Sequence, residues 1–464
     1  MLFRSYAWKG IAMKKITGIV LMLCVVLTAA GCNGNTDKTD EITASQTTSA
    51  SISEETTVTE TTTVQIKQTT ENTAETEIAP SEVKKHILKL DRKELYDYEW
   101  SEEYGMALAE LECSVIHLGD EDAKRYPELA DALSAAADFY EVNMLEGFDM
   151  DKELAKELIS SGAEGFNTLV STLDTHIRRA DDVVLSILYD SYYYNGMNDG
   201  NRSFWGGNYD AETGKELYLP DVVTDIDEFA KVVEAELFST VEADIFYSDT
   251  IIEEYFKEYG ADGTHWTLEY NGVTVYFGEG EIAGSGFGAI NLTIEFAEYP
   301  ELFNDKYTAV PEAYIVGLPM KSNFYTDLDG DGNGDEISVV DSYDEENDYY
   351  ATLYIYVPEV YYAESFWAYG CEPYYVKTAD SKNYLYVFTE LETQMYLYVY
   401  EITDTTVTKV GEVNVSPFYN NGLSATLTDP NSMYFDIFSD EAGGGIPEGN
   451  DIFSVGVDGM PAHG

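Results

Sequence analysis

The residue types with the clearest chemistry are four aspartates at the first, third, fifth and ninth positions of one short loop, Asp327, Asp329, Asp331 and Asp335. Gly332 stands at the sixth position, where a calcium loop turns sharply, and the main-chain carbonyl of Asn333 would be a fifth ligand. Calcium prefers such an all-oxygen cage, whereas magnesium takes fewer protein ligands and keeps more water. The spacing therefore predicts a structural calcium ion bound by these five residues.

The loop is not a complete EF-hand. An EF-hand needs a glutamate at position twelve and a helix on each side, but position twelve is Ser338, and residues 336–340 have the composition of a strand. We therefore expect an aspartate-rich loop that leads into a β-strand. The alternative is a solvated Asp/Gly turn between strands.

Patterns typical of catalytic sites find little support. None of the five histidines lies three or four residues from another, which is the spacing of a zinc-binding helix. Ser285 lacks the glycine two residues before it that a nucleophile elbow requires. With 86 acidic residues, the spacing of a glycosidase carboxylate pair is uninformative. The sequence therefore favours binding over catalysis.

The chain is strongly acidic, with 26 Lys and Arg against 86 Asp and Glu, and its formal charge is −60 over 464 residues. Such a surface repels nucleic acid and anionic lipid headgroups, and it attracts cations and basic proteins. We expect no nucleic-acid partner. The length allows two or three domains once the non-globular segments are set aside.

The N-terminal residues have the pattern of an export signal. Lys14 and Lys15 precede an apolar run at 16–30 that is too short for a comfortable membrane span. The run ends in Leu-Thr-Ala-Ala-Gly-Cys at 27–32, which resembles a bacterial lipobox. That resemblance implies a signal peptide at 1–31 and lipidation of Cys32, which would anchor the protein to the outer face of the membrane. An ordinary secretory signal is the alternative.

Residues 32–86 are expected to form a disordered stalk. Thr, Ser and Glu dominate residues 36–80, and aromatic residues are almost absent there. Such a composition buries too little apolar area to offset chain entropy. The stalk would hold the globular part away from the lipid surface.

Residues 87–310 mix strand and helix patterns, which predicts an α+β domain with an antiparallel sheet and packed helices. Alternating apolar positions at 107–115 predict a half-buried strand. Pro127 starts one predicted helix, and a second helix is expected to begin near Asp149. Asp225 is a predicted helix cap. Asn271 and Gly272 predict a type I′ hairpin turn with positive φ angles.

The same region carries a family resemblance in five segments. They read Arg-Ala-Asp-Asp-Val-Val-Leu-Ser at 179–186, Gly-Asn-Tyr-Asp-Ala-Glu-Thr-Gly-Lys-Glu-Leu-Tyr-Leu-Pro-Asp at 207–221, Trp-Thr-Leu at 266–268, Gly-Val-Thr-Val-Tyr-Phe at 272–277 and Glu-Ile-Ala at 281–283. Together they resemble the extracellular RsiV-like domain of anti-sigma factors, which also accompanies a peptidoglycan deacetylase. The resemblance implies an extracellular α+β domain that binds lysozyme.

Two loops depart from the family pattern, at 195–200 and 283–288, so the resemblance leaves the ligand open. We recognise neither a cytoplasmic sigma-binding segment nor a second membrane span, and we expect no anti-sigma role. The deacetylase half also has no counterpart in this chain.

Residues 311–464 predict a β-rich domain that opens with the calcium loop. Strand-like runs occur at 336–340, 349–357, 374–378, 384–389, 395–402 and 407–413. Cys113 and Cys371 are the two cysteines beyond the leader. They would either form a disulfide or remain thiols, with Cys113 as a small buried hydrophobe.

Taken together, these patterns predict a monomeric, non-enzymatic surface lipoprotein with a structural calcium ion. Its ligand would be a cell-envelope glycan, such as a peptidoglycan fragment, or a basic protein such as lysozyme. The alternative is an extracellular carbohydrate-active enzyme or its accessory subunit.

Overall fold

The computed structural model describes residues 85–463 except 164, 198–199, 242–244, 345–348, 392–393, 418, 421–422 and 438–451. The described residues belong to one compact unit. The predicted signal peptide, Cys32 and the predicted stalk up to residue 84 lie outside them. Of the helices in the described part, none combines the length and the apolar character that a bilayer crossing needs.

Strands make up most of the regular structure. The strands are β1 Leu90–Ser101, β2 Met106–Leu118, β3 Leu169–Ala180, β4 Val184–Tyr194, β5 Asn201–Asp210, β6 His265–Leu268, β7 Gly272–Phe277, β8 Ile290–Glu295, β9 Tyr314–Gly317, β10 Asn323–Thr326, β11 Asp335–Asp344, β12 Tyr349–Val357, β13 Val360–Ala368, β14 Gly370–Lys377, β15 Asn383–Glu390, β16 Met395–Ile402, β17 Val407–Pro417, β18 Tyr419–Asn420, β19 Leu423–Thr426, β20 Met433–Ile437, β21 Ile452–Val455 and β22 Pro461–His463. The α-helices are α1 Asp120–Arg125, α2 Pro127–Ser160, α3 Leu219–Val222, α4 Ile226–Thr240, α5 Ile251–Gly263 and α6 Asp305–Thr308.

In the described residues the strands form four sheets. A seven-stranded sheet has the order β18-β19-β1-β2-β3-β4-β5, and a three-stranded sheet has the order β6-β7-β8. An eight-stranded sheet runs β22-β21-β20-β17-β16-β15-β14-β9, and a four-stranded sheet runs β10-β11-β12-β13. The protein is therefore a mostly β structure with a few packed helices, which is the coarse form of the predicted α+β class.

Helix α2 covers one face of the seven-stranded sheet. Leu111 and Cys113 on β2 and Leu129 and Leu133 on α2 are at most 1% exposed and lie in one apolar cluster. Strands β2 and β3 pair in parallel, although an antiparallel sheet was expected, because α2 returns the chain to the end at which β2 began. The predicted strand at 107–115 is confirmed as part of β2.

The prediction of two helices after Pro127 is wrong, because α2 is a single helix of 34 residues. Residues of high helix propensity continue through the expected break, and the half-buried Gly147 in the middle of the helix is tolerated. Near the end of the helix Ala155 is buried, whereas Leu154 is 37% exposed. Cys113 is buried as predicted, and both Cys113 and Cys371 are unpaired thiols.

Two local predictions in the same region have different outcomes. The Asp225 side chain accepts a hydrogen bond from the Glu228 main-chain N–H at 3.1 Å, which confirms the cap of α4. The β6–β7 hairpin is also confirmed, but neither Asn271 nor Gly272 has a positive φ, so its type I′ turn is wrong. Gly272 is already the first residue of β7 and is paired with Glu295 of β8, which requires an extended backbone.

The C-terminal strands join the sheet that begins the described chain. Strand β19 pairs with β1, and Leu90 lies opposite Thr426. The runs predicted at 349–357 and 395–402 match β12 and β16, whereas β13 was not foreseen. Residues on both sides of position 310 therefore share a sheet, while the domain boundary at 310 and 311 remains a prediction.

A buried ion pair joins three of the sheets. Arg178 on β3 donates through Nε and Nη2 to the Glu269 carboxylate at 2.7–2.9 Å, and its Nη1 donates to the Gly317 carbonyl on β9 at 2.6 Å. Glu269 directly follows β6, and the side chains of the pair are 2% and 0% exposed. Removing one member would leave the other as an uncompensated charge in a low-dielectric interior.

We expect Glu269→Ala to lower the free energy of unfolding by about 3–5 kcal/mol, because the Arg178 guanidinium would lose its partner. The double change Arg178→Met with Glu269→Leu should cost less than Glu269→Ala alone, since no buried charge remains. Urea denaturation followed by circular dichroism measures both. Glu253→Ala, which removes an exposed carboxylate paired with Lys257, is the control and should leave the midpoint unchanged. A Glu269→Ala protein as stable as the control would contradict the assignment.

Candidate metal centre

The aspartate-rich loop is the connection of the β10–β11 hairpin. The pairing of Thr326 with Asp335 closes it, so the two strands hold the ends of the loop together. Gly332 has φ of +92°, which is the sharp turn predicted at this position. The loop leads into β11 as expected, and Ser338 at position twelve lies within that strand.

The structure brings three of the predicted ligands together. Oxygen atoms from Asp327, Asp329 and Asp335 all lie within 4.8 Å of one another. Main-chain N–H groups of the loop orient two of these carboxylates: Gly330 donates to Asp327 at 2.6 Å, and Leu328 donates to Asp335 at 2.8 Å. Three convergent carboxylates are a donor set that suits a hard cation such as calcium.

Asp331 and Asn333 are arranged differently. The Asp331 carboxylate accepts hydrogen bonds from the Asn333 main-chain N–H at 2.8 Å and from its side-chain Nδ2 at 3.0 Å. It is not in the converging group of the described residues. A role for Asp331 and for the Asn333 carbonyl as ligands remains a prediction.

The carboxylates of the loop repel one another. Burial raises the pKa of Asp335, and the charges of Asp329, Asp327 and Asp331 raise it further, against the lowering effect of the hydrogen bond from Leu328. Because a nearby cation favours the charged form of each carboxylate, an ion here would relieve this repulsion. The electrostatics of the loop therefore agree with its donor set.

Sequence reasoning missed a buried carboxylate beneath the loop. Glu295 at the end of β8 is 4% exposed, and its Oε1 accepts a hydrogen bond from Asn271 Nδ2 at 2.7 Å. A Cβ atom on Gly334 would lie only 2.2 Å from this oxygen, so any larger residue there would displace the Glu295 carboxylate. Burial and the Asp327 charge raise the pKa of Glu295 to about 7. Only tertiary contact places it here, and its local sequence carries no metal signal.

A second group of acidic residues lies on the face of the seven-stranded sheet opposite α2. We call it the acidic face, and it consists of Glu94, Glu110, Glu112 and Asp174. The register of β1 and β2 places Tyr96 opposite Glu112 and Tyr98 opposite Glu110, so tyrosines and carboxylates alternate across the two strands. Tyr96 is 47% exposed, which leaves this face accessible.

Like charges crowd the acidic face. Burial raises the pKa of Glu112, and Asp174, Glu94 and Glu390 raise it further by repulsion. The pKa of Glu94 is raised by burial against the opposing charge of Arg92. Arg92 is itself bound to Glu372 at 2.6 Å, so its charge is already shared. A cationic group arriving at this face would meet carboxylates with little compensation.

No family model and no curated protein matches the chain. Two solved structures are similar to part of it. One is a DUF3298 family member from Bacteroides fragilis, at 14% identity and a TM-score of 0.35, which covers 48% of this chain and 96% of that chain. The other is a DUF3298 family protein from Pseudomonas aeruginosa, at 18% identity and a TM-score of 0.32, which covers 48% of this chain and 97% of that chain. TM-scores of this size are too low to support an argument about function.

We expect calcium to raise the melting temperature. A site with a Kd of about 10⁻⁴ M would add about 2 kcal/mol of stability at about 5 mM calcium. Asp329→Ala should abolish the increase, because it removes one of the three converging carboxylates. Glu359→Ala, an exposed carboxylate in the β12–β13 turn, is the control and should keep the increase. Identical melting curves in calcium and in EDTA would refute the site.

The calcium-free protein should also lose stability as the pH rises from about 4.5 to about 7. A folded pKa of about 7 for Glu295 lies above its ordinary value of 4.5, so the folded state binds more protons across this window. This loss of stability is absent below about pH 4.5 and complete above about pH 7. Denaturation in EDTA at several pH values should show a shallower slope for Glu295→Gln. An unchanged slope would show that Glu295 ionises normally.

Proposed function

We propose that this chain is a lipid-anchored extracellular protein that binds its ligand without catalysis and that a structural calcium ion stabilises. The observation that carries the proposal is the convergence of Asp327, Asp329 and Asp335 at the head of the β10–β11 hairpin. Extracellular calcium modules commonly have Kd values of about 10⁻⁴ to 10⁻³ M, so calcium outside a cell would fill such a site. The ion would hold the loop against Glu295 and the three-stranded sheet.

The location rests on the leader sequence. The apolar run before Cys32 and the lipobox-like ending support export followed by lipid attachment at Cys32. Acyl chains at that position would each contribute about 0.8 kcal/mol of membrane affinity per buried CH₂ group. The Thr- and Ser-rich segment after Cys32 would then separate the folded part from the membrane.

The acidic face supports a basic protein as the ligand, and lysozyme is the partner implied by the resemblance to RsiV-like domains. Lysine and arginine side chains at this face would relieve the repulsion among Glu94, Glu112 and Asp174. A neighbouring tyrosine, Tyr96, adds an amphipathic contact surface. The same surface opposes nucleic acid, and its charge disfavours self-association.

A carbohydrate-active enzyme is the second candidate, and Glu112 is the observation that favours it. A carboxyl group whose pKa is raised beside an ionised partner is the arrangement of a general acid in glycoside hydrolysis. Asp174 would be the second carboxyl group of the pair, although burial raises its pKa as well. Turnover of wall glycans by the native chain, with its loss in Glu112→Gln, would favour this candidate over a pure binding protein.

We expect lysozyme to bind the Cys32→Ser chain, which lacks the lipid attachment, in calcium at physiological salt. The double change Glu94→Gln with Glu112→Gln should weaken the affinity about tenfold, since each lost charge contact contributes up to about 1 kcal/mol. Surface plasmon resonance at several salt concentrations would measure the affinity and its ionic component.

The charge-matched control is Asp227→Asn with Glu258→Gln, which removes two exposed carboxylates from α4 and α5. It should change the affinity less than twofold. An unrelated basic protein of similar charge, tested in parallel, should bind weakly and lose its binding as salt rises. Equal weakening by both double variants would reduce the interaction to general charge attraction and contradict the acidic face as the site.

A further inference from the structure

The outward face of the four-stranded sheet that follows the candidate metal centre carries an exposed carboxylate, Glu336, near β10 and an uncharged area farther along β11, β12 and β13. Ile337 and Val339 on β11 and Leu353 and Ile355 on β12 are at most 2% exposed, so the residues between them point the other way. The outward positions at 338–342 of β11, 352–356 of β12 and 361–367 of β13 are Ser, Thr, Ala, Val, Tyr and Trp. We call this surface the aromatic face.

Three of its rings are exposed, and two of them, Tyr356 and Tyr361, lie side by side. Tyr356, Tyr361 and Trp367 are 43%, 63% and 51% exposed. The Tyr356 ring lies 5.9 Å from that of Tyr361 across the strand pair and 6.4 Å from that of Tyr354 along its own strand, with interplanar angles of 28° and 26°. Exposed aromatic side chains grouped on one face of a protein commonly mark a binding site.

The charge balance of the chain narrows the choice of partner. With a formal charge of −60, an anionic polymer would be repelled, and two copies of the chain would repel each other. A basic protein would be drawn to the carboxylates of the acidic face, which the aromatic face lacks. The uncharged aromatic face is therefore best suited to a neutral partner.

We propose that the aromatic face binds a neutral polysaccharide in an extended conformation. The apolar C–H faces of pyranose rings pack on aromatic rings, while tyrosine hydroxyls and the neighbouring Ser and Thr hydroxyls hydrogen-bond to sugar hydroxyls. The Tyr356 and Tyr361 rings are about one sugar unit apart, so they offer stacking positions to two neighbouring sugars of such a chain.

This binding is distinct from the proposed capture of a basic protein, because it uses an uncharged sheet face in place of the carboxylates. The two proposed binding sites share no residues. Strand β11 begins at Asp335, so an ion in the loop would stiffen the strand that carries one edge of the aromatic face.

The test is calorimetric titration of the Cys32→Ser chain in calcium with chitohexaose and with cellohexaose. These neutral probes share the extended backbone and differ in the N-acetyl group, so the pair also reports the preferred sugar. Saturable binding of either probe is expected. Trp367→Ala and Tyr361→Ala should each weaken it about tenfold, which corresponds to the loss of one aromatic contact.

The matched controls are two exposed aromatic residues at the end of β1 and directly after it. Trp100 is 46% and Tyr104 is 52% exposed, and neither lies on the aromatic face, so Trp100→Ala and Tyr104→Ala should bind the probes as the native chain does. The calcium-dependent melting temperature of each variant checks its fold. Trp367→Ala should also keep its affinity for lysozyme, and the Glu94 and Glu112 variant should keep its affinity for the probe that binds.

Absence of binding to both probes would overturn the inference, as would equal losses in the Trp100 and Trp367 variants. Concentration-dependent dimerisation that Trp367→Ala abolishes, measured by sedimentation, would assign the face to a second copy of the chain instead. If the native chain binds a sugar probe but not lysozyme, the proposed capture of a basic protein is wrong and the sugar-binding inference is supported.

Discussion

The buried pair of Arg178 and Glu269 is the contact on which the joining of the sheets depends. It ties β3 of the seven-stranded sheet to the end of β6, and the third guanidinium nitrogen reaches Gly317 on β9. Arg179, the next residue, is equally buried and pairs with Asp181 at 2.9 Å. Because desolvated charges must be fully satisfied, the relative placement of these elements tolerates little change.

Acidic residues in this molecule occupy two different settings. Inside, Glu269 and Asp181 are matched to arginines with ion-pair geometry. At the metal centre and on the acidic face, carboxylates cluster without equivalent cations, and burial together with their mutual repulsion raises several pKa values. The first setting holds the fold together, whereas the second is available to external positive charge, either an ion or a basic partner.

Sequence reasoning succeeded where the rule was local. The Asp225 cap, the strand at 107–115 and the turn at Gly332 depend on a few neighbouring residues, and all three are confirmed. It failed where distant partners set the backbone. The turn at Asn271 follows the pairing of Gly272 with Glu295, and the unbroken helix α2 packs along the sheet beneath it.

The sequence by itself determined the acidic charge, the aspartate loop and several of the strands, because composition, ligand spacing and side-chain alternation are local properties. Only the tertiary structure decided that Glu295 lies beneath Gly334, that Glu94, Glu112 and Asp174 share one face, and that β19 pairs with β1. Those contacts join residues far apart in the chain. The order in which strands pair, and not any short pattern, sets which side chains meet.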